Sequence, residues 1–358
     1  MDALRREIAA SLALKRKSAL GQFMTPAPVA RFMAALFPTT TMQTCYLLDA
    51  GAGVGTLSGA FLDRLASAAE LKFQNVEIEA YEIDNALRGH LETTLASYAG
   101  RLPVSYKVSS GDFIWEAACK RFLGAKPFSH AILNPPYKKI NRASEHRFIL
   151  RRAGIETVNP YSAFVALSLA LMQPRGQLVA ILPRSFCHGP YYRPFRQFLL
   201  RHAALGHLHL FASRNKAFKD DGVLQENVII RLERDGTQGE VTVSHSTDGS
   251  FADLSTHVHP FDRIVFPDDP EHFIHVPTSL GRNQIERSRG IRFSLSEIGI
   301  GVSTGPVVDF RLEKHIQQKP AKGTVPLLYP GHFVGHTTQW PKDGIKRGNA
   351  IALNADTK

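Results

Sequence analysis

The tetrapeptide Asn134–Pro135–Pro136–Tyr137 contains the residues of this chain that are best suited to chemistry. It follows the apolar run Ala131–Leu133, which predicts a buried strand. The prolines end that strand, because proline lacks an amide hydrogen and keeps the preceding residue out of the helical region. The Asn134 side chain and the next carbonyl are then rigid acceptors at the carboxyl end of a strand, where ligands bind in open α/β sheets. They could hold an exocyclic amino group while the tyrosine ring stacks on its base. A rigid turn without a function is the alternative that the tetrapeptide alone leaves open.

A glycine loop follows an earlier predicted strand, Tyr46–Ala50. Asp49 stands before Gly51 and Gly53, and glycines at such a turn let the backbone approach a ligand closely. Phosphate, nicotinamide and methionine-type cofactors all use loops of this kind, so the loop does not choose among them. Asp49 could also be no more than a residue at the entry to a helix.

The next two predicted strands end in acidic residues with apolar neighbours. Glu82 follows its strand at the distance expected for a carboxylate that binds a ribose diol. Asp112 could accept a hydrogen bond from an adenine amino group, and Ile83 and Phe113 could hold the adenine ring between them. Either acid alone could be a solvated loop residue. Together with the glycine loop and the tetrapeptide, they form an ordered set that favours a ligand site.

Predicted strands and helices alternate along about 230 residues, a pattern typical of a doubly wound, mostly parallel α/β sheet. We expect this sheet to have seven strands: Tyr46–Ala50, Val76–Tyr81, Val104–Val108, Ser129–Leu133, Gln177–Leu182, His207–Phe211 and Val223–Leu232. A further amphipathic helix is predicted over residues 1–20.

Composition favours a polyanionic partner. The 358 residues have a formal net charge of +11. Lys and Arg side chains on phosphates release condensed counterions, although membrane surfaces also attract basic proteins. The longest apolar stretch, Ala163–Met172, is too short to span a bilayer, so no membrane partner is expected.

The three cysteines are far apart and suggest a reducing, cytosolic setting. No metal site is expected at His202, His207 and His209, because no cysteine or carboxylate shares their spacing.

Composition changes after residue 235. We expect a catalytic domain over residues 1–235 and a β-rich connecting segment over residues 236–290, with Glu240–Ser244 as a short strand. Residues 291–358 suggest the start of an incomplete recognition domain, since no closing element precedes Lys358. Either another chain completes that domain, or the protein is shortened.

Five motifs occur in an order that resembles one enzyme family. They are Gly21–Pro26 (GQFMTP), Asp49–Gly53 (DAGAG), Tyr81–Asp84 (YEID), Gly111–Phe113 (GDF) and Asn134–Tyr137 (NPPY). This set is similar to S-adenosylmethionine-dependent adenine-N6 DNA methyltransferases of the gamma arrangement. Pro183–Phe186 and Val223–Val228 resemble the branch of restriction–modification methyltransferases of the PstI and BsuBI type. The loop departs from the family by beginning Asp-Ala where Asp-Pro is common.

The resemblance implies a Rossmann-like class I methyltransferase fold with a partial C-terminal recognition domain. It implies S-adenosylmethionine as the cofactor, with Thr25 at its methionine end and Glu82 on the ribose hydroxyls. Asp112 and Phe113 would contact its adenine.

The resemblance also implies that an adenine is flipped out of double-stranded DNA and methylated. Asn134 Oδ1 and the Pro135 carbonyl would accept the hydrogens of N6. Tyr137 and Phe218 would stack on the flipped base, with Phe211 as the alternative for the second ring.

The partners implied are double-stranded DNA in the cytoplasmic nucleoid, a cognate restriction endonuclease, and a chain that completes the recognition domain.

Methylation of RNA adenine or of a protein glutamine is an alternative that uses the same tetrapeptide. A non-catalytic DNA-binding or specificity subunit is another. A nicotinamide oxidoreductase would explain the glycine loop and leave the tetrapeptide without a role. Basic residues between Lys138 and Arg152 would contact phosphates or form a solvated helix face.

Overall fold

The computed structural model describes residues 24–67, 73–137, 140–141, 144–212, 226–277, 279, 293, 295, 297–301, 307–355 and 357. The helix expected over residues 1–20 lies outside these ranges.

A large sheet forms the centre of the fold, and within the described ranges it has nine strands. They are β1 (Thr44–Ala50), β2 (Asn75–Tyr81), β3 (Val104–Ser109), β4 (Phe128–Leu133), β5 (Met172–Pro183), β6 (Ala203–Phe211), β7 (Asn227–Arg234), β8 (Val241–Ser246) and β9 (Ser255–His259). Their spatial order is β3-β2-β1-β4-β5-β7-β6-β8-β9. Strands β1 to β5 pair in parallel, whereas β7 is antiparallel to both of its neighbours. The expected doubly wound, mostly parallel sheet is thus confirmed.

Helices cover both faces of this sheet. They are α1 (Ala27–Ala35), α2 (Thr56–Ser67), α3 (Asn85–Ala99), α4 (Phe113–Leu123), α5 (Glu145–Arg152), α6 (Pro160–Ala170), α7 (Ser185–His188) and α8 (Arg193–His202). Helices α1 to α3 supply one apolar core, and α4 to α8 supply the other. Neighbouring strand residues alternate between the cores: Leu47 belongs to the first and Leu48 to the second. Strands buried on both faces are apolar throughout, which is why the central strands could be located from the sequence.

The sheet is larger than expected because residues 236–290 contribute to it. Strand β8 pairs in parallel with β6, and β9 pairs with β8. This segment, expected to be a connection, therefore extends the central sheet by two strands. The chain divides into compact units at a later point, with Met1–Arg287 in one and Ser288–Lys358 in the other.

The second compact unit contains short antiparallel strands. They are β10 (Ile316–Gln317), β11 (Thr324–Pro326), β12 (Phe333–Val334), β13 (Thr337–Thr338) and β14 (Ala350–Ala352). Strand β14 lies between β10 and β11, and β12 pairs with β13. Across the parts of the chain that the structure describes, no helix is long and apolar enough to cross a membrane.

Candidate active site

The strand order places the predicted site residues in a row. The segments directly after neighbouring strands β3, β2, β1 and β4 carry, in that spatial order, Asp112, Glu82, the glycine loop and Asn134. Strands are about 4.8 Å apart, so the row is about 14 Å long. A cavity of about 290 Å³ is lined by residues from all four of these strand ends. The structure therefore brings the four predicted motifs together at one edge of the sheet.

The glycine loop after β1 is held by the neighbouring strand. The amides of Gly51 and Ala52 both donate to the Tyr81 carbonyl, at 3.0 and 2.8 Å. Gly53 has a φ of +57°, which side-chain-bearing residues rarely adopt, and a Cβ atom there would meet nothing within 4 Å. At Gly51 and Gly53, the loop therefore borders the cavity with backbone that bears no side chain.

Glu82 is bound to this loop from the end of β2. One carboxylate oxygen accepts from the Gly53 amide at 2.8 Å, and the other accepts from the Asp84 amide at 2.7 Å. Burial raises the pKa of Glu82, and the two amide hydrogen bonds oppose that rise. The carboxylate is nearly buried, yet it lines the cavity, so its orientation is determined before any ligand arrives.

Asp49 lies beneath the loop, where it is fully buried. Its Oδ2 accepts from the Ser58 hydroxyl at 2.6 Å and from the Ser58 amide at 3.3 Å, which ties β1 to helix α2. Burial raises the pKa of Asp49 to about 7, while the bonds from Ser58 work in the opposite direction. Asp49 therefore supports the loop from below instead of forming its surface.

The far end of the cavity combines an acceptor with apolar walls. Asp112 Oδ1 caps helix α4 by accepting from the Ile114 amide at 2.9 Å. Ile83 is 56% exposed and lines the cavity, so it presents an open apolar surface there. Phe113 is nearly buried, with its ring held between those of Tyr81 and Phe164 at centroid distances of 5.0 and 4.8 Å. This end suits a flat ring that bears a hydrogen-bond donor.

Asn134 lies at the other end of the row, next to two side chains that orient its amide. Its Nδ2 donates to Thr25 Oγ1 at 3.0 Å. The Tyr137 hydroxyl lies 3.3 Å from Asn134 Oδ1 and 3.4 Å from the Ile181 carbonyl oxygen. Because Nδ2 is bonded to Thr25, Oδ1 points to the side on which Tyr137 lies. Thr25 and Pro136 both line the cavity, so the tetrapeptide that begins at Asn134 borders the cavity directly.

The Tyr137 ring is supported by a series of aromatic residues. Tyr161 of helix α6 meets it edge to face at 6.2 Å, and Tyr192 stacks on Tyr161 at 5.8 Å. Tyr161 is nearly buried, whereas Tyr137 is half-buried. Burial raises the pKa of the Tyr137 hydroxyl. The ring thus has one packed edge and remains partly accessible.

Other predicted residues are placed differently. Phe218 lies outside the described residues. Its alternative, Phe211, is 3% exposed and packs in the core between His209 and Phe251, so it cannot meet a flipped base. Arg147 is nearly buried and forms an ion pair with Glu156, which excludes it from the basic residues that could contact phosphates.

Several residues of the cavity wall were missed from the sequence, among them His146, Pro160 and Phe164. Pro160 and Phe164 belong to helix α6, whose apolar composition predicted only a core helix. His146 stands in helix α5 among basic residues, where its spacing gives no signal of a site. Within the described ranges, no group of three or more His, Cys, Asp and Glu residues is arranged to hold a metal ion.

Comparisons with known proteins place this chain among restriction-modification methyltransferases. Residues 12–218 match the model of the Eco57I restriction-modification methylase family. The chain is 49% identical to the type II methyltransferase M.BsuBI of Bacillus subtilis, over 95% of this chain and 69% of that protein. It is 37% identical to the type II methyltransferase M.PstI of Providencia stuartii, over all of this chain and 71% of that protein.

The fold is also similar to that of solved structures. The modification subunit assigned to a type I restriction enzyme of Vibrio vulnificus superposes with a TM-score of 0.57 at 12% identity. The match covers 80% of this chain and 66% of that one. The class I methyltransferase fold expected from the sequence is therefore confirmed.

Proposed function

The chain belongs to the Eco57I family of restriction-modification methylases, and from that membership we propose that it transfers a methyl group from S-adenosylmethionine to adenine N6 in double-stranded DNA. The observation that supports this most strongly is the position of Asn134 beside the cavity, with its amide nitrogen bonded to Thr25 and its oxygen directed to the Tyr137 side. A rigid acceptor next to an aromatic ring suits an exocyclic amino group of a base.

The residues of the cavity fit S-adenosylmethionine. Glu82 presents a carboxylate to a ribose diol, and Asp112 presents one to the amino group of the purine. Ile83 gives an open apolar wall for the ring, and Gly53 leaves space beside the backbone. A volume of about 290 Å³ is close to the lower end of the range for ligand pockets, about 300–1,000 Å³. When bound, this cofactor supplies a methyl group on a sulfonium, which is already activated for transfer.

The contribution of the protein is then orientation and electrostatics. Asn134 Oδ1 and the Pro135 carbonyl would accept the two N6 hydrogens, drawing the nitrogen lone pair out of conjugation with the ring. An amide suffices for this role, because the nitrogen becomes cationic when it takes the methyl group from the sulfonium, whose sulfur keeps the bonding electron pair. The cationic nitrogen then loses one of these hydrogens as a proton to water, so no strong base is needed. The bond from Asn134 to Thr25, together with the contact from the Tyr137 hydroxyl, would keep an oxygen, and not an NH2 group, facing the base.

The Tyr137 ring would stack on the flipped adenine. Such a contact contributes about 1–3 kcal/mol and offsets part of the cost of removing the base from the duplex. Tyr161 packs against the edge of the ring, so its position is set before the base arrives. We assign Phe218 to the opposite face of the base, on the family resemblance alone.

We further propose that residues 288–358, the second compact unit, take part in recognising the DNA target. The support is the order of parts in the gamma arrangement, in which target recognition follows the catalytic motifs. DNA is accordingly the main partner, and a cognate restriction endonuclease is the functional partner that the family implies.

The test is methyl transfer from labelled S-adenosylmethionine to duplex DNA, to RNA and to a glutamine-containing protein substrate, side by side. We expect label in DNA only, as N6-methyladenine after enzymatic digestion to nucleosides. Asn134→Ala should reduce the rate by at least about a hundredfold, the effect of removing one preorganised polar group. Its affinity for the cofactor should change little.

Asn75→Ala provides a matched control, because Asn75 lies at the amino end of β2, away from the site. That variant should methylate DNA at the wild-type rate. Label in RNA or protein, N4-methylcytosine as the product, or full activity of Asn134→Ala would each contradict the proposal.

A further inference from the structure

Asp112 contacts a histidine, His146, that the sequence did not indicate as part of the site. His146, in the first turn of α5, places its Nε2 2.9 Å from Asp112 Oδ2. Both side chains are about one-third exposed, at 35% and 34%, and both line the cavity. The contact is a hydrogen bond when Nε2 bears the histidine hydrogen, and an ion pair when both ring nitrogens are protonated.

The two oxygens of Asp112 have separate roles. Oδ1 accepts from the Ile114 amide at 2.9 Å and from the Trp115 amide at 3.3 Å, which completes the N-cap of α4. Oδ2 is therefore the oxygen available to a ligand. A carboxylate oxygen has two lone pairs, so Oδ2 can accept from His146 and from a ligand donor at the same time. Capping the helix requires only Oδ1, so it does not explain the contact with His146.

We infer that His146 is a positioning residue for the cofactor, holding Asp112 Oδ2 where it accepts a hydrogen from the 6-amino group of the purine. This inference rests on the proposed function, since it assumes an adenine-containing cofactor in the cavity. Through Asp112, His146 then determines the preference for a 6-amino purine over a 6-oxo purine, which has no hydrogen to donate from that position.

The preference can be measured without catalysis. Calorimetric titration of the full chain, in the absence of DNA, gives affinities for S-adenosylhomocysteine and for its 6-oxo analogue, S-inosylhomocysteine. The wild-type protein should prefer the amino compound. His146→Ala should reduce this preference by about fivefold to tenfold, within the range of coupling between groups in one hydrogen-bond network.

Two further variants separate positioning from a general structural effect. His146→Gln keeps a side-chain donor and should retain most of the preference. His90→Ala removes a histidine of helix α3 that does not line the cavity, and should leave the preference unchanged. Alanine is a strong helix former, so neither alanine variant should weaken its helix, which thermal unfolding followed by circular dichroism checks.

The decisive measurement is the double variant. If His146 acts through Asp112, His146→Ala should have no further effect on the preference in an Asp112→Asn background. A wild-type ratio in His146→Ala, or an equal loss of affinity for both compounds, would overturn the role of His146 while leaving the proposed function intact. Failure of the wild-type protein to bind S-adenosylhomocysteine would overturn the proposed function as well.

Discussion

Thr25→Val is the substitution that best tests how the Asn134 amide, which we propose to be catalytic, is oriented. The replacement has nearly the same shape but removes Oγ1, which accepts from Asn134 Nδ2 at 3.0 Å. Thr25 is only 4% exposed, so water cannot readily take the place of the hydroxyl. Without this acceptor, the amide loses one of the contacts that favour its observed planar orientation, while the contact from the Tyr137 hydroxyl to Oδ1 at 3.3 Å remains. The reversed orientation, which presents NH2 to the base, therefore becomes more populated.

The size of the effect follows from the strength of the lost bond. A neutral hydrogen bond contributes about 0.5–1.5 kcal/mol net, and leaving a buried donor unsatisfied costs about 1–3 kcal/mol. Each 1.36 kcal/mol corresponds to about a tenfold change in rate. We therefore expect the rate of methyl transfer in Thr25→Val to fall about tenfold. Thr25→Ser keeps the hydroxyl and should stay within about twofold of wild type, because the acceptor that orients Asn134 is retained.

The assay is single-turnover methylation of duplex DNA at saturating cofactor, with cofactor affinity measured separately by titration. Saturation matters because Thr25 also lines the cavity proposed to hold the cofactor. If Thr25→Val weakens cofactor binding but transfers methyl groups as fast as Thr25→Ser once saturated, then the Thr25–Asn134 bond does not orient the amide, and the reasoning fails.

Three other perturbations test separate parts of the site. Tyr137→Ala should lose about 1–3 kcal/mol of base stacking, seen as a weaker 2-aminopurine signal at the target position, whereas Tyr137→Phe should keep the signal; equal signals in both would contradict stacking. Gly55→Ala should lower the melting temperature, because Gly55 has a φ of +83° and a Cβ atom there would lie 2.9 Å from Leu91; an unchanged melting temperature would refute this. Asp49 has a pKa raised by burial to about 7, so the folded state holds its proton more tightly than the unfolded chain. Its contribution to the free energy of unfolding is therefore lost as pH rises from about 4 to 7, by up to about 4 kcal/mol. The free energy of unfolding measured in urea should show this decline in the wild-type protein and lack it in Asp49→Asn. Parallel pH profiles of the two proteins would count against the prediction.

The strands that carry the site could be located from the sequence because their signals are local. The Asn-Pro-Pro sequence after an apolar run marks where the strand ends, and β4 does end at Leu133, directly before Asn134. The same holds for β2, which ends at Tyr81 before Glu82. The size of the sheet could not be obtained in this way. The strand predicted at Glu240–Ser244 was observed as β8, but its pairing with β6 depends on residues distant in the chain.

Side-chain contacts between motifs could not be predicted from the sequence either. Asn134 and Thr25 are 109 positions apart, and Asp112 and His146 are 34 apart, so no periodicity relates them. Asp49 shows the converse. Its place before the glycine loop suggested a cofactor ligand, whereas in the fold it is buried against Ser58.

The sequence by itself determined the family, the fold class and the identity of the four strand ends, because each depends on residue types in short stretches. Only the tertiary structure decided their arrangement. Along the chain the strands run β1, β2, β3, β4, but in the sheet they lie β3, β2, β1, β4. Asp112 and Asn134 therefore lie at opposite ends of the row, with Glu82 and the glycine loop between them. That order follows from crossover connections that bury both faces of the sheet, and it orders the groups proposed to bind purine, ribose, methionine and target base along one edge.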